Sequence, residues 1–300
     1  MSDSSVEIAD PRTLLHRYGL WPRKSLGQNF LVDPTAPDRI AESADLTRED
    51  TVLEVGAGVG TLTAALAARA GRVIAVETDA KLAGVLTTEM GELPNLEIVH
   101  GDILALDPVA LLRAPAGDGD PAQPLWGPRL PHYAVVANLP YYITNAVMRH
   151  LLEARLRPSR MVVTVQQEVA ERMAAAPGDM SLLAVSVQFY GEPRVRMRLK
   201  RGAFYPPPKV GSAVVRIDLY ETPRFPVDNV ARFFRIVKAG FAQRRKQLRN
   251  TLASGLSLAP TEVEEALHSV GVDPTRRAET LAMDEWGRMY AALSPALDGG

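Results

Sequence analysis

Short, largely apolar runs alternate with helix-spaced apolar positions along the first two thirds of the chain. The runs stand at residues 51–55, 72–77, 96–100, 133–137 and 161–166, and the stretches 62–70, 80–90 and 145–154 between some of them have helix-like composition and spacing. Strands apolar on both faces and separated by helices predict a parallel sheet covered on both sides. Two later runs, 194–199 and 212–219, lie too close for a crossover helix and predict an antiparallel pair at the sheet's edge. The fold class expected is therefore α/β.

The pattern changes after residues 221–229, which carry Pro223 and Pro226. Beyond them only helical spacing is seen. Phe234, Val237, Phe241, Leu248 and Leu252 fall on one helical face. A second helix is predicted over 261–270, with Thr261 as its cap and Glu264 in capping-box spacing, and a third over 283–293. Residues 113–132 hold five prolines and three glycines and are expected to form an exposed, poorly ordered insertion. The domain layout expected is a 1–23 extension, an α/β domain over 24–220 and a small all-helical domain over 228–295.

Composition narrows the chemistry. The 300 residues are 46% hydrophobic, which suits a sizeable core and excludes global disorder. The count of cysteines is 0, which rules out disulfides and Cys-based zinc sites and fits a reducing cytoplasm, the expected location. His16, His100, His132, His150 and His268 are scattered without ligand spacing, so no metal is expected. Residues 1–10 are polar and acidic, with no apolar core of a signal peptide. No apolar run approaches the roughly 18 residues of a membrane span, so no membrane partner is expected. The net charge of −1 conceals bunching. Arg194, Arg196, Arg198 and Lys200 alternate with Val195, Met197 and Leu199, the pattern of a strand with one buried face and one basic face. Arg244, Arg245, Lys246 and Arg249 form a second cluster, and Arg23 with Lys24 a third. Solvated faces would account for them, but such bunching in a near-neutral chain favours contacts with RNA phosphates.

The first apolar run empties into Gly56-Ala57-Gly58-Val59-Gly60 before a helical stretch. Glycines let backbone approach a ligand with no Cβ between them. Position 61 is Thr, so the dinucleotide fingerprint G-x-G-x-x-G is not met, and no Gly-Lys pair marks a phosphate loop. The second run ends in Glu77, placed to accept bonds from both hydroxyls of a ribose. The third ends in Gly101-Asp102, where a carboxylate can meet an adenine amine. Either acid alone could be a helix cap or a solvated side chain, the role assigned to Asp79. Two at consecutive strand ends behind a glycine turn indicate an adenosyl ligand without phosphates.

The fourth run leads into Asn138-Leu139-Pro140-Tyr141. As a plain Asn-x-Pro turn it would carry no chemistry. Behind this glycine turn it matches what methylation of the adenine N6 amine requires. That amine is a poor nucleophile, because its lone pair is delocalised into the ring. Two acceptors aimed at it, the Asn138 side-chain oxygen and the Leu139 carbonyl, would draw it toward a tetrahedral form and stabilise the positive charge that develops. Pro140 holds Leu139 extended, and Tyr141 offers a ring for base stacking.

These segments together resemble the KsgA-type ribosomal small-subunit adenine dimethyltransferases over about residues 24–289. The resemblance is carried by Lys24-Ser25-Leu26-Gly27-Gln28-Asn29-Phe30-Leu31, the glycine turn, Glu77, Gly101-Asp102, Asn138 to Tyr141, Gln167-Glu168 and Phe204-Tyr205-Pro206-Pro207-Pro208-Lys209-Val210. It implies a Rossmann-like class I methyltransferase domain with a mostly parallel seven-stranded sheet, and S-adenosyl-L-methionine as cofactor. It also implies a substrate: two adjacent adenosines in the 3′-end hairpin loop of 16S ribosomal RNA, in a small subunit still being assembled. Gln28, Asn29 and Leu31 would close over the methionine end of the cofactor, and Phe204 would lie against the target base. The chain departs from the family after residues 168–173, where a longer loop with a Tyr-Gly pair is usual and Pro177-Gly178-Asp179-Met180-Ser181 stands instead. Rival readings are a large-subunit (23S) adenine methyltransferase of the macrolide-resistance type, a ribosome-assembly factor on the same scaffold, and an oxidoreductase. Thr61 and the Asn138–Tyr141 tetrapeptide disfavour the last.

Overall fold

The computed structural model describes residues 8–23, 26–112 and 132–297. The amino-terminal residues 1–7 read above for a signal peptide, Lys24 and Ser25, and residues 113–131 of the expected insertion lie outside the described residues. Elements follow in chain order: α1 (Pro11–Arg17), β1 (Phe30–Leu31), α2 (Ala36–Glu42), β2 (Thr51–Val55), α3 (Thr61–Ala67), β3 (Arg72–Glu77), α4 (Ala80–Met90), β4 (Leu96–His100), α5 (Pro108–Leu112) and β5 (Tyr133–Asn138). Then come α6 (Thr144–Leu152), β6 (Arg160–Gln166), α7 (Gln167–Met173), α8 (Leu182–Gln188), β7 (Gly191–Leu199), β8 (Phe204–Tyr205) and β9 (Ser212–Leu219). Among the described residues, four α-helices follow, α9 (Val230–Phe241), α10 (Leu248–Leu256), α11 (Pro260–Ser269) and α12 (Met283–Leu293).

Seven strands form one sheet in the order β4-β3-β2-β5-β6-β9-β7. The first five are parallel and β9 runs antiparallel to β6, with Met161 opposite Ile217 and Thr164 opposite Val214. Central strands β2 and β5 are buried along nearly their whole length, as helices on both faces require. Strand order reverses between β2 and β5, which opens a crevice at their carboxyl ends. A second, two-stranded sheet pairs β1 with β8 antiparallel, Phe30 opposite Tyr205 and Leu31 opposite Phe204. These two-residue strands are too short for sequence periodicity to show.

The chain divides into two compact units, residues 1–170 with 194–219, and residues 171–193 with 220–300. The amino-terminal segment is part of the first unit and not an extension beside it. Asp10 caps α1 by accepting from the Arg12 N–H at 2.8 Å, and Leu14 and Leu15 are buried against Phe30, Val59, Leu82 and Val85. Residues 171–193, placed above in the α/β domain, group with the helices of the second unit. Phe189 on this segment is fully buried among Phe225, Phe233 and Phe234, with ring centroids 4.6–5.7 Å away. The short 177–181 loop belongs here too: Gly178 and Met180 donate to the Glu279 carbonyl, and Ser181 caps α8.

Two details of the helical region differ from the expectation. The face from Phe234 to Leu252 is split between α9 and α10, because the exposed polar run 243–246 supplies no apolar residue to continue the stripe. Leu248 restarts the helix, its N–H bound to the Arg276 carbonyl at 2.8 Å. Helix α11 begins at Pro260 behind Ala259, so Thr261 lies inside the first turn and caps nothing. Helix α12 matches its predicted span.

Candidate active site

A cavity of about 370 Å³ lies at the carboxyl ends of β2, β3, β4 and β5. It gathers residues far apart in sequence: Gln28, Asn29 and Leu31, then Gly56 and Gly58, Glu77, Asp102, and Asn138 to Tyr141. Every cofactor and catalytic residue expected from the sequence lines it. The glycine turn explains its own composition, since Gly56, Gly58 and Gly60 have φ of 76°, 61° and 91°, a region that side chains with a Cβ rarely adopt.

Glu77 is buried at the end of β3, 5% exposed, yet both its oxygens are held. One accepts from the Gly58 N–H and the other from the Asp79 N–H, each at 2.8 Å. Burial raises its pKa above the ordinary carboxylate value, and these backbone donors oppose the rise. Lone pairs remain on both oxygens for a diol. Asp79 is the cap of α4, bonded to the Lys81 N–H at 2.9 Å and paired with Arg23 at 3.2 Å. Asp102 is exposed, and its Oδ1 accepts from the Leu104 N–H at 3.0 Å.

Asn138 closes β5. Its Nδ2 donates to the Asn29 carbonyl at 3.0 Å, which fixes the amide plane and leaves the side-chain oxygen for another donor. Asn29 is braced in turn, its Nδ2 donating to the Gly27 carbonyl at 2.8 Å, while the Gln28 side chain accepts from the Arg23 N–H at 2.8 Å. Leu139 is seated by its N–H on the Thr164 carbonyl at 3.2 Å, and the Pro140 carbonyl accepts from the Ile143 N–H at 3.2 Å. The Tyr141 hydroxyl lies 2.6 Å from the hydroxyl of buried Ser212 on β9, and burial raises its pKa.

Two residues of this site escaped the sequence reading. Ser212, the anchor of Tyr141, gave no signal because its neighbour in space is remote in sequence. Glu54 gave one, as an acid within an apolar central strand. It is 1% exposed, lines the cavity, and its Oε2 has no hydrogen-bond partner. Burial pushes its pKa up to about 8, the nearby Thr63 hydroxyl pulling it down and the Glu77 charge pushing it further up.

The other expected residues are not brought to the cavity. Phe204 is buried in the core with Leu31, Leu199 and Val214, and it is not among the residues that line the cavity. Arg194, Arg196, Arg198 and Lys200 are all exposed on and beside β7, with Arg194 3.9 Å from Asp218. The apolar face expected opposite them is incomplete. Val195 is 36% exposed and only Leu199 is buried, because β7 is the last strand of the sheet. Arg244 and Arg245 lie exposed in the turn between α9 and α10. Arg249, expected to meet phosphate, is instead ion-paired with Glu264. Among the described residues no cluster of three or more potential ligands could hold a metal, and no helix is long and apolar enough to cross a membrane.

The cavity fits S-adenosylmethionine on this chain's own features: a bare glycine turn and a buried carboxylate with spare lone pairs. Comparison with known proteins agrees. A family model described as ribosomal RNA adenine dimethylase matches residues 21–294. Proteins named ribosomal RNA small subunit methyltransferase A are similar along their length. One from Anaeromyxobacter dehalogenans is 46% identical over 94% of this chain and 97% of its own, and one from Moorella thermoacetica is 44% identical over 97% and 99%. Among solved structures, the 23S rRNA methyltransferase ErmE superposes with a TM-score of 0.67 at 29% identity, covering 89% of this chain and 100% of that one. A dimethyladenosine transferase from Plasmodium falciparum shares the fold, with a TM-score of 0.72 at 22% identity over 89% and 98%. With its cavity lined by several of the segments that carried the resemblance, and its match running through both units, this chain belongs to the ribosomal RNA adenine dimethylase family.

Proposed function

We propose that this protein dimethylates the N6 amines of two adjacent adenosines in the 3′-end hairpin loop of 16S ribosomal RNA, within the small ribosomal subunit. Family membership supports the reaction, and the relatives named for the small subunit support the choice of RNA. The observation that carries the chemistry is the orientation of Asn138, whose amide nitrogen is committed to Asn29 so that its oxygen is left to accept from an amine.

S-adenosylmethionine, when bound, supplies an electrophilic methyl group on a sulfonium. Glu77 accepts from the ribose hydroxyls, Asp102 from the adenine amine of the cofactor, and Gln28, Asn29 and Leu31 cover its methionine end. The Asn138 oxygen and the Leu139 carbonyl accept the two N–H groups of the target amine, which frees its lone pair and stabilises the cation formed as the carbon–sulfur bond gives way to carbon–nitrogen. The product amine is acidic enough to lose its proton to water, so no general base is needed. Tyr141, held by Ser212, stacks on the base, a contact worth about 1–3 kcal/mol.

The substrate is a partly assembled subunit in the cytoplasm. A loop adenine unstacks more cheaply than one in a duplex, and the cavity admits only an unstacked base. Arg194, Arg196, Arg198 and Lys200 on the first unit, and Arg244 and Arg245 on the helical second unit, grip phosphates without reading sequence. The deciding experiment is nucleoside mass spectrometry on unmethylated small and large subunits incubated with the protein and labelled cofactor. Dimethyladenosine in the 3′ loop of the small subunit is expected. Its appearance only in large-subunit RNA would establish the rival instead.

A further inference from the structure

The turn after β5 carries two consecutive tyrosines with opposite fates. Tyr141 is drawn inward, its hydroxyl on Ser212 at 2.6 Å. Tyr142 is 60% exposed, and among the described residues Trp21 is the only other aromatic side chain so open to solvent. No hydrogen bond to the Tyr142 hydroxyl is seen among the described residues. Yet Tyr142 lines the same cavity as Asn138 and Tyr141. Its ring is also braced. A Cβ on Gly27 would stand 3.1 Å from Tyr142 Cδ1, so the bare backbone at Gly27 packs against the ring, at a φ of 58° that itself favours glycine. An aromatic ring supported from behind, open in front and set at the rim of a cavity that receives a base is a stacking platform.

We propose that Tyr142 stacks on the nucleobase next to the target adenine, and so fixes the position of the strand while its neighbour is inside. This inference rests on the function proposed above. A base that leaves its stack to enter the cavity strips one face of the adjacent base. A tyrosine ring at the rim restores that contact, whatever the base, because every base has a π-face. Since the substrate is a pair of adjacent adenosines, the base on Tyr142 is the other target in one of the two rounds of methylation. The residue therefore acts on the passage from one methylated adenosine to the second, where Asn138 and Tyr141 act on the base already inside.

The test compares wild type, Tyr142→Ala and Tyr142→Phe on unmethylated small subunits. It measures kcat and KM for the subunit, the site-resolved fraction of each adenosine dimethylated at partial conversion, and S-adenosylmethionine affinity by calorimetry. A lost stacking contact raises KM for the subunit about 10-fold in the alanine variant, within the range for base–aromatic stacking. The product shifts toward subunits modified on one adenosine only. Tyr142→Phe restores both measures, and cofactor affinity is unchanged in either variant. An alanine variant with wild-type KM and wild-type product distribution overturns the inference, as does loss of cofactor affinity, which would make Tyr142 a wall of the cofactor site. If wild type leaves both adenosines of the small subunit unmodified, the function proposed above has failed, a result distinct from indifference to the ring.

Discussion

Glu54 offers a quantitative test of the cavity's electrostatics. Its carboxyl is 1% exposed on a central strand, with Oε2 unpartnered, and its pKa rises from 4.5 to about 8. A carboxyl with a raised folded-state pKa binds its proton more tightly in the folded chain than in the unfolded one. Its contribution to stability is fully present below pH 4.5 and is lost as pH rises through about 8. Each pH unit in that window removes about 1.4 kcal/mol. Between pH 5 and 8 the loss attributable to Glu54 is on the order of 3 kcal/mol, a sizeable part of the stability of an ordinary domain. The perturbation is Glu54→Gln, which keeps the shape and removes the titration. Urea unfolding of both proteins across this range should give curves that converge near pH 5 and separate steadily above it, the variant gaining on the wild type. Any fixed cost of burying the amide moves the variant's curve bodily and leaves the divergence intact. Parallel curves from pH 5 to 8 would refute the reasoning, because Glu54 would then titrate alike in folded and unfolded chains.

Three further outcomes follow from the site. Glu77→Ala should weaken S-adenosylmethionine binding by about 1.5–3 kcal/mol, the range for hydrogen bonds to a charged group, and unchanged affinity in calorimetry would remove Glu77 from the site. Asn138→Ala should lower the methyl-transfer rate by roughly 10²–10³, as for one preorganised polar group, with a much smaller effect on cofactor affinity; single-turnover transfer at wild-type speed contradicts the assignment. Arg244→Ala combined with Arg245→Ala should reduce methylation of subunits and make its salt dependence shallower while cofactor binding stays intact, and an unaltered salt slope would mean that the turn does not meet phosphate.

How much of this could be read from the chain depends on the range of the interaction. Strands β2 and β3 match their apolar runs to the residue, because a buried parallel strand needs only its own composition, and the edge strand β4 and the antiparallel β9 match theirs as well. The glycine turn and Glu77 are legible for the same reason, each tied to the end of one strand. What stayed hidden depends on pairs distant in sequence. The β1–β8 ribbon joins residues 30–31 to 204–205, and the same pairing sets Phe204 opposite Leu31 in the core. Arg249 looked like one more cation of a basic cluster until the fold set Glu264 beside it. The split of α9 from α10 was masked because a shared face survives a short break in the helix. The resemblance, in turn, supplied what no spacing rule contains, the place of Gln28, Asn29 and Leu31 on the cavity wall.

The two halves of the site are held in different ways, and the difference bears on rate. The cofactor half is self-supporting: the carboxylate of Glu77 that would meet a ribose already fastens the glycine turn through Gly58 and the start of α4 through Asp79. That fastening requires nothing beyond two consecutive βα units. The reactive half sits on one strand end but is oriented from outside it. Asn138 takes its amide orientation from the backbone of Asn29, and Tyr141 takes its ring position from Ser212 on β9. Each anchor replaces a torsional freedom that the substrate would otherwise have to freeze. A misplacement of about 1 Å at a reacting group can cost roughly 10²-fold in rate. The loop that carries Gly27 and Asn29, and the antiparallel strand that carries Ser212, are therefore the additions that turn a cofactor-binding sheet into one able to act on an unreactive amine.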